Sequence, residues 1–214
     1  MGAKKVGVGY GPVGALVAAG GVSGVVVDVG FTAVRVTPIR QGVPLPALAQ
    51  RHRSVGAVFL DQDGSGEAGG GRKEETRSFA REMRLPDGNG VRAPCPLTKG
   101  ACRLLYSSTV SVPDSFQHAY QRFNIEYPGS PHWTGFGGGA AVSGVHDALA
   151  GALAGSLVLD EPVQLPLQNP RYAPLEGATI LTQLNTFKAM CIGVETYAED
   201  GPERCVHLKI LDPR

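Results

Sequence analysis

The sequence is poor in cysteine, in aromatic residues and in net charge, and each shortage narrows what it can be. Its four cysteines, Cys95, Cys102, Cys191 and Cys205, are too few to staple a chain of 214 residues as a disulfide scaffold. Their spacing fits no zinc-binding pattern, so free thiols in an intracellular protein are expected. A formal charge of +1, with no basic stripe, excludes nucleic acid as the main partner. No apolar run approaches the roughly 18 residues that a membrane-spanning helix needs, so no membrane partner is expected. The start, Met1-Gly2-Ala3-Lys4-Lys5, lacks both a secretory apolar core and the Ser or Thr of a myristoylation signal. A soluble, cytoplasmic protein is the expectation. His52, His118, His132, His146 and His207 are scattered without metal spacing, and no G-x-S-x-G elbow or internal repeat is present.

What the chain has in quantity is glycine, 30 residues, and proline, 16, which place many turns between short elements. Val13 to Ala19 reads as a short helix closed by Gly20-Gly21. The β-branched run Gly24–Gly30 predicts a buried central strand, and the alternation from Ala33 to Ile39 predicts a second strand paired back on it. Residues 61–73, DQDGSGEAGGGRK, predict a flexible linker. They lack the Lys-Ser/Thr ending that a phosphate loop would need after Gly64-Ser65-Gly66 or Gly69-Gly70-Gly71. Glu74 to Met83 reads as a charged helix, and Leu85-Pro86-Asp87-Gly88 as a turn. The prolines in 91–131 predict only short elements there. The turn Gly135–Gly139 then opens into a helix over Val142–Leu157, followed by an edge strand at Val163–Leu167. Residues 175–190 and 193–200 read as helices, the second stopped by Asp200-Gly201-Pro202.

Four landmarks in order carry a family resemblance. Arg171-Tyr172, Gly177-Ala178-Thr179-Ile180-Leu181, Leu184-Asn185-Thr186-Phe187 and Met190 resemble the C-terminal region of actins, with its "S-I-L-x-x-L-x-T-F" helix. Glu195–Pro202 is similar to the actin "E-Y-x-E-x-G-P" ending. Leu16–Gly30 resembles "L-Y-A-S-G-x-T-T-G-x-V-x-D-S-G" and runs into Pro38–Pro46, similar to "P-I-Y-E-G-x-x-L-P". Leu85–Gly88 matches "L-P-D-G", and Gly137-Gly138 with Ser143-Gly144-Val145 sits where the family has "G-G-T-T-x-x-P-G-I". The resemblance implies an α/β fold: a single ribonuclease-H-like lobe, a mixed sheet flanked by helices. It corresponds to subdomain three, with subdomains one, two and four largely missing. Residues 1–214 would form this one lobe, with 61–73 replacing the subdomain-four insertion and 172–210 supplying the C-terminal helices.

The resemblance also implies where a nucleotide site would be and how far it has decayed. Actins hold ATP or ADP with magnesium between two glycine-bearing hairpins, and the first has no counterpart here. Of the second, Asp28 and Gly30 remain, but Val29, Phe31 and Thr32 stand for a serine, an acidic residue and a glycine. A backbone that approaches phosphate needs glycine, and Thr32 is β-branched. The family's water-positioning glutamine falls at Gly11. Gly137 and Gly138 persist on the adenine side, beside Gly139, Ala140 and Val142, while Arg171 keeps a basic character. Asp28, Gly30, Gly137, Gly138 and Arg171 are therefore read as vestigial. The plainer expectations are a strand-end aspartate bonded to the next turn, a helix-entry loop and a solvated base. No ATPase activity, metal or cofactor is expected; ATP or ADP with magnesium would require a second chain to complete the site.

What the resemblance preserves is a partner surface. One wall of the actin apolar cleft, which takes amphipathic helices, corresponds to Val17, Gly20, Val22, Gly42, Ile180, Leu184, Thr186 and Met190. Ile180 and Leu184 fit the lobe's own core equally well. The expectation is a non-catalytic scaffold subunit of a cytoskeletal or axonemal assembly, bound to other protein subunits or to actin. The alternatives are half of a split nucleotide site and a mimic that regulates actin filaments. Self-assembly into filaments is not expected, because the longitudinal contacts of subdomains two and four are missing and Arg40-Gln41 replaces the aromatic-acidic loop.

Overall fold

The structure, a computed structural model, describes residues 5–56, 80–84, 90–94, 104–107, 109–129, 132–142, 144–153 and 161–206, with backbone alone for 80–84, 90–94 and 206. It is mixed α/β, with helices on both faces of a mixed sheet. The strands of that sheet are β2 (Gly24–Val29), β3 (Val34–Arg40), β4 (Val43–Pro44), β5 (Gln50–His52), β8 (His132–Phe136) and β9 (Val163–Gln164). The order is β4-β3-β2-β8-β9, with β5 also on the outer side of β3. Strands β2 to β5 are joined antiparallel, whereas β8 and β9 run parallel to β2. The parallel pairs require crossovers, and helices α2 (Val112–Glu126) and α3 (Val145–Leu153) lie in them.

The period-two alternation of strand side chains sorts the valines of β2 between two cores. Val25, Val27 and Val29 pack with α2 and α3, while Val26 packs on the opposite face with Leu16, Ile39 and Phe136. On the first face, α2 buries Val112, Phe116, Ala119, Tyr120 and Phe123, the spacing of one helical face. The Phe116 ring lies 5.3 Å from that of Trp133 on β8. Each fully buried large side chain here contributes about 1.5–3 kcal/mol.

Helix α2 corrects the expectation of short elements between prolines. Pro113 falls in its first turn, where a missing N–H costs nothing, and the Ser111 hydroxyl accepts the Asp114 N–H at 3.2 Å as an N-cap. Strand β8 likewise takes up Gly135 and Phe136, which the glycine-rich sequence predicts as part of a turn. Helix α3 begins at Val145, later than expected, after a short 3-10 turn over Gly139–Ala141.

The second face carries α1 (Gly11–Ala18) and α4 (Ala173–Thr182). They cross with their backbones in contact. A Cβ at Gly177 would overlap the Gly14 carbonyl, and one at Gly14 would stand 2.7 Å from the Pro174 carbonyl oxygen. Helix α1 ends as the glycines predict: the Gly20 N–H donates to Val17 O and the Gly21 N–H to Leu16 O, with Gly20 at φ 83°.

Two smaller pieces complete the described chain. Strand β1 (Lys5–Gly7) pairs antiparallel with β10 (Cys191–Gly193), next to the short helix α5 (Phe187–Met190). Helix α6 (Val194–Val206) follows and is broken at Gly201, φ 73°, where the sequence predicts a stop. The single helix expected over 175–190 is instead two, α4 and α5. Strands β6 (Ala80–Arg84) and β7 (Gly90–Pro94) form a separate antiparallel hairpin. The expected helix over 74–83 is therefore a strand from residue 80 on, because pairing with β7 outweighs the helical propensity of a charged segment. The linker at 61–73 and the turn at 85–88 lie outside the described residues.

Candidate functional site

Parallel pairing of β2 with β8 sets Asp28 beside Phe136, so the turn after β8 falls against the tip of the β2–β3 hairpin. Gly137 has φ 100°, and a Cβ there would stand 2.6 Å from the Val29 carbonyl oxygen and 3.1 Å from Asp28 Oδ1. Only glycine allows that approach. The Gly137 N–H donates to Pro170 O at 2.9 Å, which draws Arg171 to the same end of the sheet. Gly30 sits in the hairpin tip, its N–H donating to Ala33 O at 3.1 Å. The structure thus gathers Asp28, Gly30, Gly137, Gly138 and Arg171. Around Gly138, and around Gly11 at the start of α1, a Cβ would meet nothing within 4 Å.

Asp28 is not bonded to the next turn. Arg35 Nη1 donates to Asp28 Oδ2 at 2.8 Å, across the hairpin between directly opposed residues. Burial pushes the Asp28 carboxyl above its ordinary range, while the hydrogen bond and charge of Arg35 pull it back down. This partner was legible: the hairpin register that opposes Val29 to Val34 also opposes Asp28 to Arg35. Phe31 and Thr32 are exposed at the tip. Arg171 is exposed, with its guanidinium 5.6 Å from the Tyr172 ring centroid, as befits a solvated base.

The cleft residues are distributed differently. Val17 is half-buried on α1; Gly20 and Val22 lie exposed just beyond it. Gly42, φ 79°, donates its N–H to Val22 O at 2.7 Å, and the Gln41 N–H donates to Ser23 Oγ at 2.8 Å. These bonds clasp the loop after β3 to the loop after α1. Val22, Ile180, Leu184 and Met190 are 63, 44, 46 and 38% exposed, and Thr186 is exposed as well. The core alternative for Ile180 and Leu184 is therefore wrong. Helix α4 buries only Ala173 and Gly177, because the close crossing with α1 leaves room for nothing larger. Further exposed apolar residues, Leu175, Val194 and Tyr197, escaped the sequence reading; Val194 and Tyr197 share a face of α6 at i, i+3 spacing.

Of the histidines, His146 is structural: its Nε2 lies 3.2 Å from the Gly135 carbonyl oxygen, which can only accept. The ring Nε2 of His52 is buried without a partner, and burial holds its pKa below the ordinary value. Among the described residues, no helix is long and apolar enough to cross a membrane. No protein-family profile matches the sequence, and no curated protein is significantly similar to it.

Proposed function

We propose that this chain is a non-catalytic, actin-related scaffold subunit that holds other proteins of a cytoskeletal or axonemal assembly. The observation that carries this reading is the exposure of Val22, Ile180, Leu184 and Met190, residues that a self-sufficient lobe would bury. Support for the lobe itself comes from the strand order β4-β3-β2-β8-β9. Antiparallel strands leading into parallel ones, with helices on both faces, are what a ribonuclease-H-like lobe of the actin fold requires.

The test uses the full chain expressed with a tag, its partners identified after purification. The double variant Ile180→Asp, Leu184→Asp is expected to lose the partners that the native chain retains, at an unchanged melting temperature. A native chain recovered as a lone, stable monomer would refute the scaffold reading, as would retention of the same partners by the double variant.

One observation favours a second reading, half of a nucleotide site completed by another chain. Gly30, Gly137, Gly138 and Arg171 converge on one end of the sheet. Nucleotide released on denaturing the purified assembly would support that reading; none would remove it.

A further inference from the structure

On their own, without groups from a second chain, the residues at this end of the sheet do not fit the magnesium nucleotide that the actin-family resemblance implies. Phe31, 63% exposed, stands where a second acidic group would be needed. The Gly137 turn is already closed onto β2, with its N–H given to Pro170 O and its Cα against the Val29 carbonyl. Asp28, the carboxylate placed at the site among the described residues, has Oδ2 engaged at 2.8 Å by Arg35.

A carboxylate that is only 15% exposed cannot stand uncompensated. Apart from hydrogen bonds from neutral donors, it can take up a proton, bind a metal ion or meet a fixed cation. The third condition is satisfied from within the hairpin. Arg35 is the residue directly opposite Asp28 in the strand register, and its Nη1 donates to Asp28 Oδ2 at 2.8 Å, which sets a guanidinium cation against the carboxylate. The other oxygen, Oδ1, faces the Gly137 turn.

We infer that Arg35 is a built-in counter-cation of Asp28, holding the position at the carboxylate that a divalent ion would otherwise take. The hairpin and the Gly137 turn are then fixed without metal or nucleotide, and free divalent ions are repelled. This inference stands apart from the scaffold reading and does not depend on any partner.

The experiment is a titration of the isotopically labelled full chain with Mn2+, reading paramagnetic broadening of the Gly30 and Gly137 amides. The native chain is expected to show none beyond that of exposed surface amides. Arg35→Gln is expected to broaden both at Mn2+ concentrations lower by about tenfold or more, since a unit charge adjacent to the carboxylate has been removed. Arg35→Lys, which keeps the charge, behaves as the native chain. Broadening of the native chain equal to that of Arg35→Gln would overturn the inference, and so would its absence in Arg35→Gln. If Arg35→Gln loses its dispersed spectrum, the native chain decides. A melting temperature that rises with millimolar Mn2+ overturns the inference; one that does not move supports it.

Discussion

The crossing of α1 and α4 offers the sharpest quantitative test of the fold. In an unobstructed helix, Gly→Ala stabilises by up to about 1 kcal/mol, because alanine is the better helix former. At Gly177 the added Cβ would overlap the Gly14 carbonyl, which belongs to backbone and cannot swing aside. The two helices must then separate, and overpacking of this kind costs about 1–3 kcal/mol, at times more. The steric term exceeds the propensity gain, so Gly177→Ala is expected to destabilise by roughly 1–2 kcal/mol net. Gly151 in α3 is the control, since a Cβ there would meet nothing within 4 Å. Gly151→Ala should leave stability unchanged or raise it by a few tenths to about 1 kcal/mol. Melting temperatures followed by circular dichroism would separate the two variants by about 3–10 °C for a chain of this size. Gly177→Ala as stable as Gly151→Ala would mean that α1 and α4 are not in backbone contact, and the placement of Ile180 and Leu184 would fall with it.

Three further outcomes are expected. Gln41 adopts φ 50° in the clasp; Gln41→Val should cost about 1–2 kcal/mol and Gln41→Gly nothing, read from urea midpoints, because only the branched side chain adds to left-handed strain. His52 is held below its ordinary pKa, so its unfolded form binds protons first. Its contribution is present above about pH 6.5 and is lost as pH falls through the lower folded value, a loss that His52→Gln should abolish in a pH series of unfolding midpoints. Asp28 has the opposite sign: with its folded pKa raised above 3.8, acidification through that window returns stability, and Asp28→Asn should remove that limb of the profile.

The sequence spoke clearly where one local signal had one structural meaning. The valines of Gly24–Val29 allow little other than a buried strand, and the facing alternation of Val34–Ile39 allows little other than its hairpin partner. It misled where one residue type serves two purposes. Proline breaks a helix in its interior but opens one at Pro113, so α2 and its Phe116–Trp133 contact went unread. Glycine marks loops, yet Gly135 is a strand residue whose missing side chain makes room for the His146 ring. Asp28, Gly30 and Gly137, which the resemblance groups together, lie at one end of the sheet. The chemistry there was legible only in part: Arg35 follows from the hairpin register, whereas the close approach of the Gly137 turn depends on the parallel pairing of β8, which the sequence did not signal.

The β1–β10 ribbon has a consequence for how the molecule responds to being cut. By itself a two-stranded ribbon of three paired positions is marginal, and here the Phe187 ring, about 3 Å from where a Gly7 Cβ would be, braces it. Lys5 opposite Gly193 turns the intervening chain into a closed circuit. A protease that severs one bond in a loop between them leaves the fragments laced together through the ribbon and the sheet. The nicked chain should still travel as one particle under native conditions and separate only in denaturant.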